Sequence, residues 1–370
     1  MEFDPTRQDE LAAWLRLSLT AGIGPVAARA LLGAFGAPRQ VLAQPAGALA
    51  QRVGATRARA LLAPDRARDD AVLRALDWAA APGRWLLALD DALYPPALLQ
   101  APDPPVLLYG RGDARRLSRE AVAVVGSRNA TRGGCDTAAR LARALSDAGL
   151  VVVSGLARGV DAAAHAGAIE GRSGTVAVMA TGIDRIYPPE HAALAERVAA
   201  HGALVTEAPP GTQAAAGRFP RRNRIIAALS RGVLVVEAAR ASGSLITARL
   251  AAELGRDVLA VPGSIHSPLS RGCHQLIRDG AALVESASDV LEALGRPPAG
   301  PVRPDDAAGA AGRPGPHAAL LALIGFDPVH PDALAERAAL ADGALAAALL
   351  ELELAGRLER LPDGRCLRRV

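Results

Sequence analysis

The chain has no lysine. All 42 of its Lys+Arg positions are arginine, so no G-x-x-x-x-G-K-[ST] phosphate loop is present and the ATPases built on that loop are set aside. An arginine content shared by the whole chain reflects base composition before chemistry. Only clustered arginines count toward phosphate recognition, for which the planar guanidinium fork is suited. Cysteine is sparse as well: Cys135, Cys273 and Cys366 are odd in number, far apart and without a C-x-x-C pair, which argues against a disulfide framework and against a zinc site. The N-terminus, MEFDPTRQDE, carries no apolar signal core, and no run approaches the roughly 18 apolar residues of a membrane span. The expected compartment is the cytoplasm.

What is present suits a globular protein of two or three units, with 370 residues of which half are hydrophobic and 22% charged. The formal net charge of +4 permits an anionic partner without requiring one. Between 295 and 316, 11 of 22 residues are Pro or Gly and no apolar period survives, the composition of a linker. Upstream of it, β-branched apolar runs begin at 121 (AVAVV), 150 (LVVV), 175 (TVAVM), 203 (ALVT), 232 (GVLVV) and 257 (DVLAV), with alanine-rich amphipathic stretches between them. Strand alternating with helix implies a doubly wound, parallel α/β sheet covered on both faces, a Rossmann-like core. Residues 10–63 are helical in pattern, and Gly22-Ile23-Gly24 before Pro25 reads either as a helix-hairpin-helix or as a turn in a structural bundle. The expected divisions are a helical domain at 1–80, the core with its upstream segment at 81–295, a linker at 296–316 and a small module at 317–370.

Ligands of an open parallel sheet bind beyond the carboxyl ends of the strands. The loop after the first run, GSRNATRGG, offers Gly126, Ser127 and Arg128 at a helix N-terminus, where an anion is the natural occupant. The next loop, SGLARGVDAAAH, brings Gly155 and Arg158; its Asp161 reads as a helix cap and its His165 as a residue of the core or sheet edge. Arg218, Arg221, Arg222 and Arg224 lie within seven residues of GRFPRRNRIIAALS and flank Phe219, one of only four phenylalanines. That pattern fits a backbone clamp with a base-stacking platform. Ser242, Gly243 and Ser244 either donate to phosphate oxygens or cap the following helix. Paired carboxylates beside a nucleophile and His/Cys sets with metal spacing are missing from these loops, so the rim reads as a binder of phosphate chains with no catalytic residue, no metal and no cofactor.

These segments, in this order, resemble the DprA/Smf family of DNA-processing proteins: GSRNAT, SGLARGVDAAAH, TGIDRIYP, TEAPPG, FPRRNRIIAALS, VVEAARASGSLITA and GRDVLAVPG. The resemblance extends to DDALYPPALLQAPDPPVLLYGRG upstream, to N-terminal helices similar to a sterile-alpha-motif-like module, and to a tail similar to a winged-helix-like domain. It implies a homodimeric accessory factor of natural transformation that binds and protects incoming single-stranded DNA and helps load the RecA recombinase, without being an enzyme. Carried over by motif, it implies DNA contacts at Gly126, Ser127, Arg128, Gly155, Arg158, Phe219, Arg221, Asn223, Arg224, Ser242, Gly243 and Ser244. Where many members have a Lys and an Asn after the Tyr-Pro motif, this chain has Tyr187-Pro188-Pro189-Glu190-His191, so a cation at that edge would have to come from Arg185 or Arg218.

Within the tail, helices at 317–325, 331–338 and 342–355 and a wing around Pro362-Asp363-Gly364 suit a winged helix, yet the third helix carries no arginine. A protein contact or weak duplex contact fits it better than sequence reading. Three rivals remain at this stage: a nucleotide phosphoribohydrolase-like Rossmann enzyme, whose P-G-G-x-G-T turn is absent; a nicotinamide oxidoreductase, whose G-x-G-x-x-G is absent; and a scaffold with an incidental arginine rim. A DNA binder of this composition should lose affinity steeply with salt.

Overall fold

The computed structural model describes residues 5–297, 317–324, 328–338, 340, 342–361 and 363–368. The chain divides into two compact units, residues 1–297 and 298–370. Most of the linker expected at 296–316, from residue 298 on, lies outside the described residues.

All six apolar runs of the core form strands. The first unit holds a nine-stranded sheet made of β1 (Arg84–Ala88), β2 (Leu107–Gly112), β3 (Ala121–Val125), β4 (Val151–Ser154), β5 (Thr175–Val178), β6 (Ala203–Thr206), β7 (Gly232–Val235), β8 (Asp257–Ala260) and β9 (Ala282–Leu283). Their order is β1-β2-β6-β5-β4-β3-β7-β8-β9. From β6 to β9 the neighbours are parallel; β1 and β2 join the far edge antiparallel, with Tyr109 of β2 opposite Thr206 of β6. The upstream segment therefore adds an antiparallel hairpin to a sheet that the periodicity marked as parallel. Gly110 is required there by close approach: a Cβ on it would lie 2.0 Å from the ring of Trp85, its cross-strand partner.

Alternation along each strand divides the core between two faces. Ala121, Ala123 and Val125 of β3 point to one face with Ile225, Leu229 and Ala248. Val122 and Val124 point to the other, with Leu141, Leu145 and Ala164. On that second face, toward the β6 edge, Ala177 and Leu204 meet Trp14, Leu15, Leu31, Leu49 and Leu61 in one continuous cluster. The N-terminal helices, Pro5–Leu19 through Arg66–Ala79, are thus seated on the sheet by apolar burial. The turn at 20–24 joins the first two, with Gly22 at φ +80° and Pro25 in the first helical turn.

The second unit contains helices Ala318–Ile324, Pro331–Ala338 and Asp342–Leu354, then the antiparallel pair β10 (Leu358–Arg360) and β11 (Cys366–Arg368). Leu321, Leu334, Leu345, Leu349, Leu352 and Cys366 form its core, and Val329 bridges to Cys366. This is the winged-helix order expected from the sequence; Gly325 and Pro362 of that reading lie outside the described residues.

Tyr109 is 1% exposed and its ring meets Trp78 edge-on at 6.4 Å, yet its hydroxyl has no hydrogen-bond partner among the described residues. A buried hydroxyl left unpaired costs about 1 to 3 kcal/mol. Tyr109→Phe is therefore expected to stabilise the fold by about that amount, read as a higher urea midpoint at unchanged slope; a lower midpoint would contradict the assignment.

Candidate nucleic-acid interface

The chain runs outward from β3 through β4 and β5 to β6, then returns to the other side of β3 with β7. The crevice between β3 and β7 is the topological switch point, where an open α/β sheet takes its ligand. On one side stands the loop after β3. Ser127 donates its amide to the Glu237 carbonyl at 2.7 Å and accepts the Asn129 amide on Oγ at 3.1 Å. At the start of the helix that follows, Arg132–Asp147, the protein already places acceptors of its own. Thr131 is its N-cap, accepting Gly134 N–H at 3.0 Å, and the Glu237 carboxylate accepts the Thr131 amide at 2.9 Å and hydroxyl at 2.7 Å. Burial raises the Glu237 carboxyl above the usual carboxylate range.

Beneath the crevice lies a polar core. Arg222, 6% exposed, donates Nη1 to the carbonyls of Gly155 (2.5 Å) and Val178, and Nε to Asn223 Oδ1 at 3.1 Å. Asn223 in turn donates Nδ2 to the Gly243 carbonyl at 3.4 Å. Burial lowers the Arg222 pKa to about 10, against the opposing pull of Asp161, which leaves it a cation at neutral pH. Gly155 is glycine because a Cβ there would lie 2.4 Å from that guanidinium. Asp161 corrects the sequence reading. The cap of helix Val160–Ile169 is Gly159, and Asp161, in the first turn, accepts the amides of Gly155 (3.1 Å) and Ala157 (3.3 Å) from the loop before it. Its carboxyl is pushed up by burial, with Arg222 drawing it back.

His165 belongs to the core, at 0% exposure. Thr175 Oγ1 donates to the Val152 carbonyl at 2.7 Å, so the proton of the 2.7 Å His165–Thr175 bond sits on Nδ1, and Nε2 is left to accept the Leu156 amide at 3.3 Å. The imidazole is neutral, with its pKa lowered by burial to about 3.

Above this floor opens a cavity of about 640 Å³, within the range of small-ligand sites. Eight of the thirteen expected residues line it: Gly126, Ser127, Arg128, Phe219, Asn223, Ser242, Gly243 and Ser244. The Arg128 guanidinium sits 4.9 Å from the Phe219 ring centroid, and Tyr187, 46% exposed, stacks at a tilt on Phe219 at 5.6 Å. The N-cap of helix Ser244–Glu253 is Gly243, without a side-chain cap bond of its own; Ser242 Oγ accepts the Ser244 amide at 3.4 Å, and the Ser242 and Ser244 hydroxyls bond to each other at 2.7 Å on the cavity wall. The lining thus combines hydroxyls, glycine backbone and a guanidinium with one ring, Phe219, on which Tyr187 packs from outside the lining residues. An anion joined to a flat ring is the chemical form that matches both kinds of group.

The remaining five lie elsewhere. Gly155 packs under Arg222, and Arg158 is ion-paired with Glu190. Arg221 binds Glu207 at 2.9 Å, and Arg224 binds Asp103 at 3.1 Å as well as Glu207. Arg218 is exposed and outside the cavity lining, as is Arg185. The sequence reading counted Arg222 among the clamp arginines without carrying it into the contact set or reading it as buried, and it gave no role to Tyr187, which packs on Phe219. Arg222 carried a usable signal, since with Ile225, Ile226 and Leu229 it falls at i, i+3, i+4 and i+7, the buried face of its helix. Tyr187 carried none, because only the fold sets it beside Phe219. Among the described residues no group of three His, Cys, Asp or Glu side chains could hold a metal, and no helix is long and apolar enough to cross a membrane.

Residues 85–295 match the family described as DNA recombination-mediator protein A, and residues 303–364 match the DprA winged helix domain. The chain is 41% identical to Protein Smf of Escherichia coli over 298 residues, spanning 78% of this chain and 79% of that protein. It is 47% identical over 203 residues to the DNA processing protein DprA of Streptococcus pneumoniae, spanning 55% and 71%. The X-ray structure of DNA processing protein A from S. pneumoniae superposes with a TM-score of 0.66 at 36% identity, covering 79% of this chain and 98% of that one. DNA processing protein A from Helicobacter pylori, solved for its single-stranded DNA binding mode, superposes with a TM-score of 0.52 at 30% identity, covering 57% and 95%.

The buried His165 gives the site a pH signature. Its folded pKa, about 3, lies below the ordinary 6.5, so the stability it contributes is present above pH 6.5. That stability is lost as pH falls from there toward 3, at about 1.4 kcal/mol per unit. The stability gap between wild type and His165→Gln should narrow by about 1 kcal/mol between pH 6.5 and 5.5 in urea titrations; a constant gap would show the ring is not held neutral.

Proposed function

The chain belongs to the DprA/Smf family of DNA recombination-mediator proteins, and on that premise we propose that it binds single-stranded DNA in the cavity at the β3–β7 crevice. In this reading a phosphate meets Ser127, Arg128, Asn223 and the Ser242–Ser244 turn, and a base stacks on Phe219 and Tyr187. The observation that carries it is the pairing of Arg128 with Phe219 at 4.9 Å on the wall of the cavity, a cation and a ring presented to the same strand. The H. pylori relative's single-strand binding supports it. The cavity's carboxylate, Asp161, is committed to loop amides, which suits retention of a strand without hydrolysis.

The wider role follows the family: a cytoplasmic homodimer that protects incoming DNA and helps load RecA during natural transformation. The winged-helix unit, with an apolar third helix, serves a protein contact or weak duplex contact in this reading.

Salt dependence should be shallower than the arginine density alone implies. Of the expected arginines only Arg128 and Arg218 lack a carboxylate partner among the described residues, and each contributes about 0.7 to the log–log slope on a single strand. Fluorescence-anisotropy titration should show preference for single strands over duplex. Arg128→Ala should cost about 1.5 to 3 kcal/mol, roughly ten- to a hundredfold in affinity. Wild-type protein that binds neither nucleic acid, or an Arg128→Ala protein that binds as well as wild type, would refute the assignment.

A further inference from the structure

In the segment densest in arginine, two of the four guanidiniums are held by the protein's own carboxylates. Glu207, in the loop after β6, is 15% exposed and bridges two arginines of helix Arg218–Leu229. It takes Arg221 in two prongs, Nε to Oε1 at 2.9 Å and Nη2 to Oε2 at 3.4 Å. It takes Arg224 through Oε2, and Arg224, 12% exposed, reaches on to Asp103 at 3.1 Å. Two guanidiniums are thus set against two carboxylates. The buried half of the cluster fastens the segment around Asp103 to the helix. The exposed half is Arg221, 57% exposed and two residues beyond Phe219 of the cavity wall.

A two-pronged carboxylate makes on a guanidinium the contact that a phosphate would make. We propose that Glu207 is an internal stand-in for a nucleic-acid phosphate, which keeps Arg221 out of the binding reaction and so limits affinity for the strand. The inference rests on single-strand binding at the cavity. For Arg221 to turn to DNA, Glu207 and Asp103 would be left sharing one guanidinium in partly buried surroundings, a cost that backbone contact has to exceed. Arg221 stays with Glu207, and the strand is held by Arg128, the hydroxyl turn and the rings.

The test uses the full-length chain and a labelled oligothymidine in anisotropy titrations over a salt series. Glu207→Gln keeps the side-chain size and removes the charge; it should bind about two- to fivefold more tightly and steepen the log–log salt slope by about 0.7. Arg221→Gln in the otherwise unaltered chain should stay within twofold of wild type, and in the Glu207→Gln background it should cancel the gain. A folded Glu207→Gln protein that binds no better, or an Arg221→Gln protein that loses tenfold, overturns the proposal. Should circular dichroism show Glu207→Gln unfolded, the exposed Arg221→Gln change decides alone. Wild type that binds no single strand refutes the cavity reading together with this one, whereas wild type that binds while Glu207→Gln leaves affinity unchanged refutes this one only.

Discussion

A guanidinium sealed beneath a sheet crevice has to satisfy its donors from within the protein, and at Arg222 it does so with backbone that belongs to different strands. Its bonds to the carbonyls of Gly155 and Val178 tie the ends of β4 and β5, and through Asn223 they reach the carbonyl of Gly243 in the loop after β7. Asp161 supplies the opposing charge while holding the amides of Gly155 and Ala157. A buried pair of this kind is weak evidence for stability. What it does here is geometric: the loops that wall the cavity are fixed relative to one another by largely buried bonds.

That floor helps explain why the cavity sits where it does, walled by the first turns of helices Arg218–Leu229 and Ser244–Glu253. The protein fills several other candidate anion positions with its own carboxylates. Glu237 occupies the start of helix Arg132–Asp147, Glu190 holds Arg158, and Glu207 holds Arg221 and Arg224. The corner between Ser127, Arg128 and the Ser242–Ser244 turn is left open, beside the rings of Phe219 and Tyr187. Site selection in this fold is subtractive, since a guanidinium already paired in a partly buried setting offers little to a second anion.

The aromatic end makes the same point through packing. Phe219 lies in the first turn of helix Arg218–Leu229, and the face of that helix made by Ile225, Ile226 and Leu229 is buried against β3 and its neighbours. With the apolar face already committed to the sheet, Phe219 is turned to the rim, where Arg128 covers one side and Tyr187 packs from another loop.

Much of this was legible before folding. Short apolar runs alternating with amphipathic stretches read as strands buried on both faces, so the six core strands, their helices and the rim of strand-end loops followed from periodicity and the Pro/Gly-rich stretch from composition, while the winged-helix-like tail followed from the family resemblance. Eight of the thirteen expected contact residues do meet at one cavity, because glycine and serine turns after parallel strands converge wherever the sheet places them. The antiparallel hairpin at the sheet edge was not legible, since its strands carry no crossover signal. Nor was the state of each arginine. Arg221 and Arg158 are neutralised by carboxylates 14 and 32 positions away, and Arg222 is buried while its neighbour Arg221 is exposed. Sequence determines which groups exist and which face of an element they share; only the tertiary structure decides which charges are already spent on one another, because an ion pair depends on distance in space and on the water excluded around it.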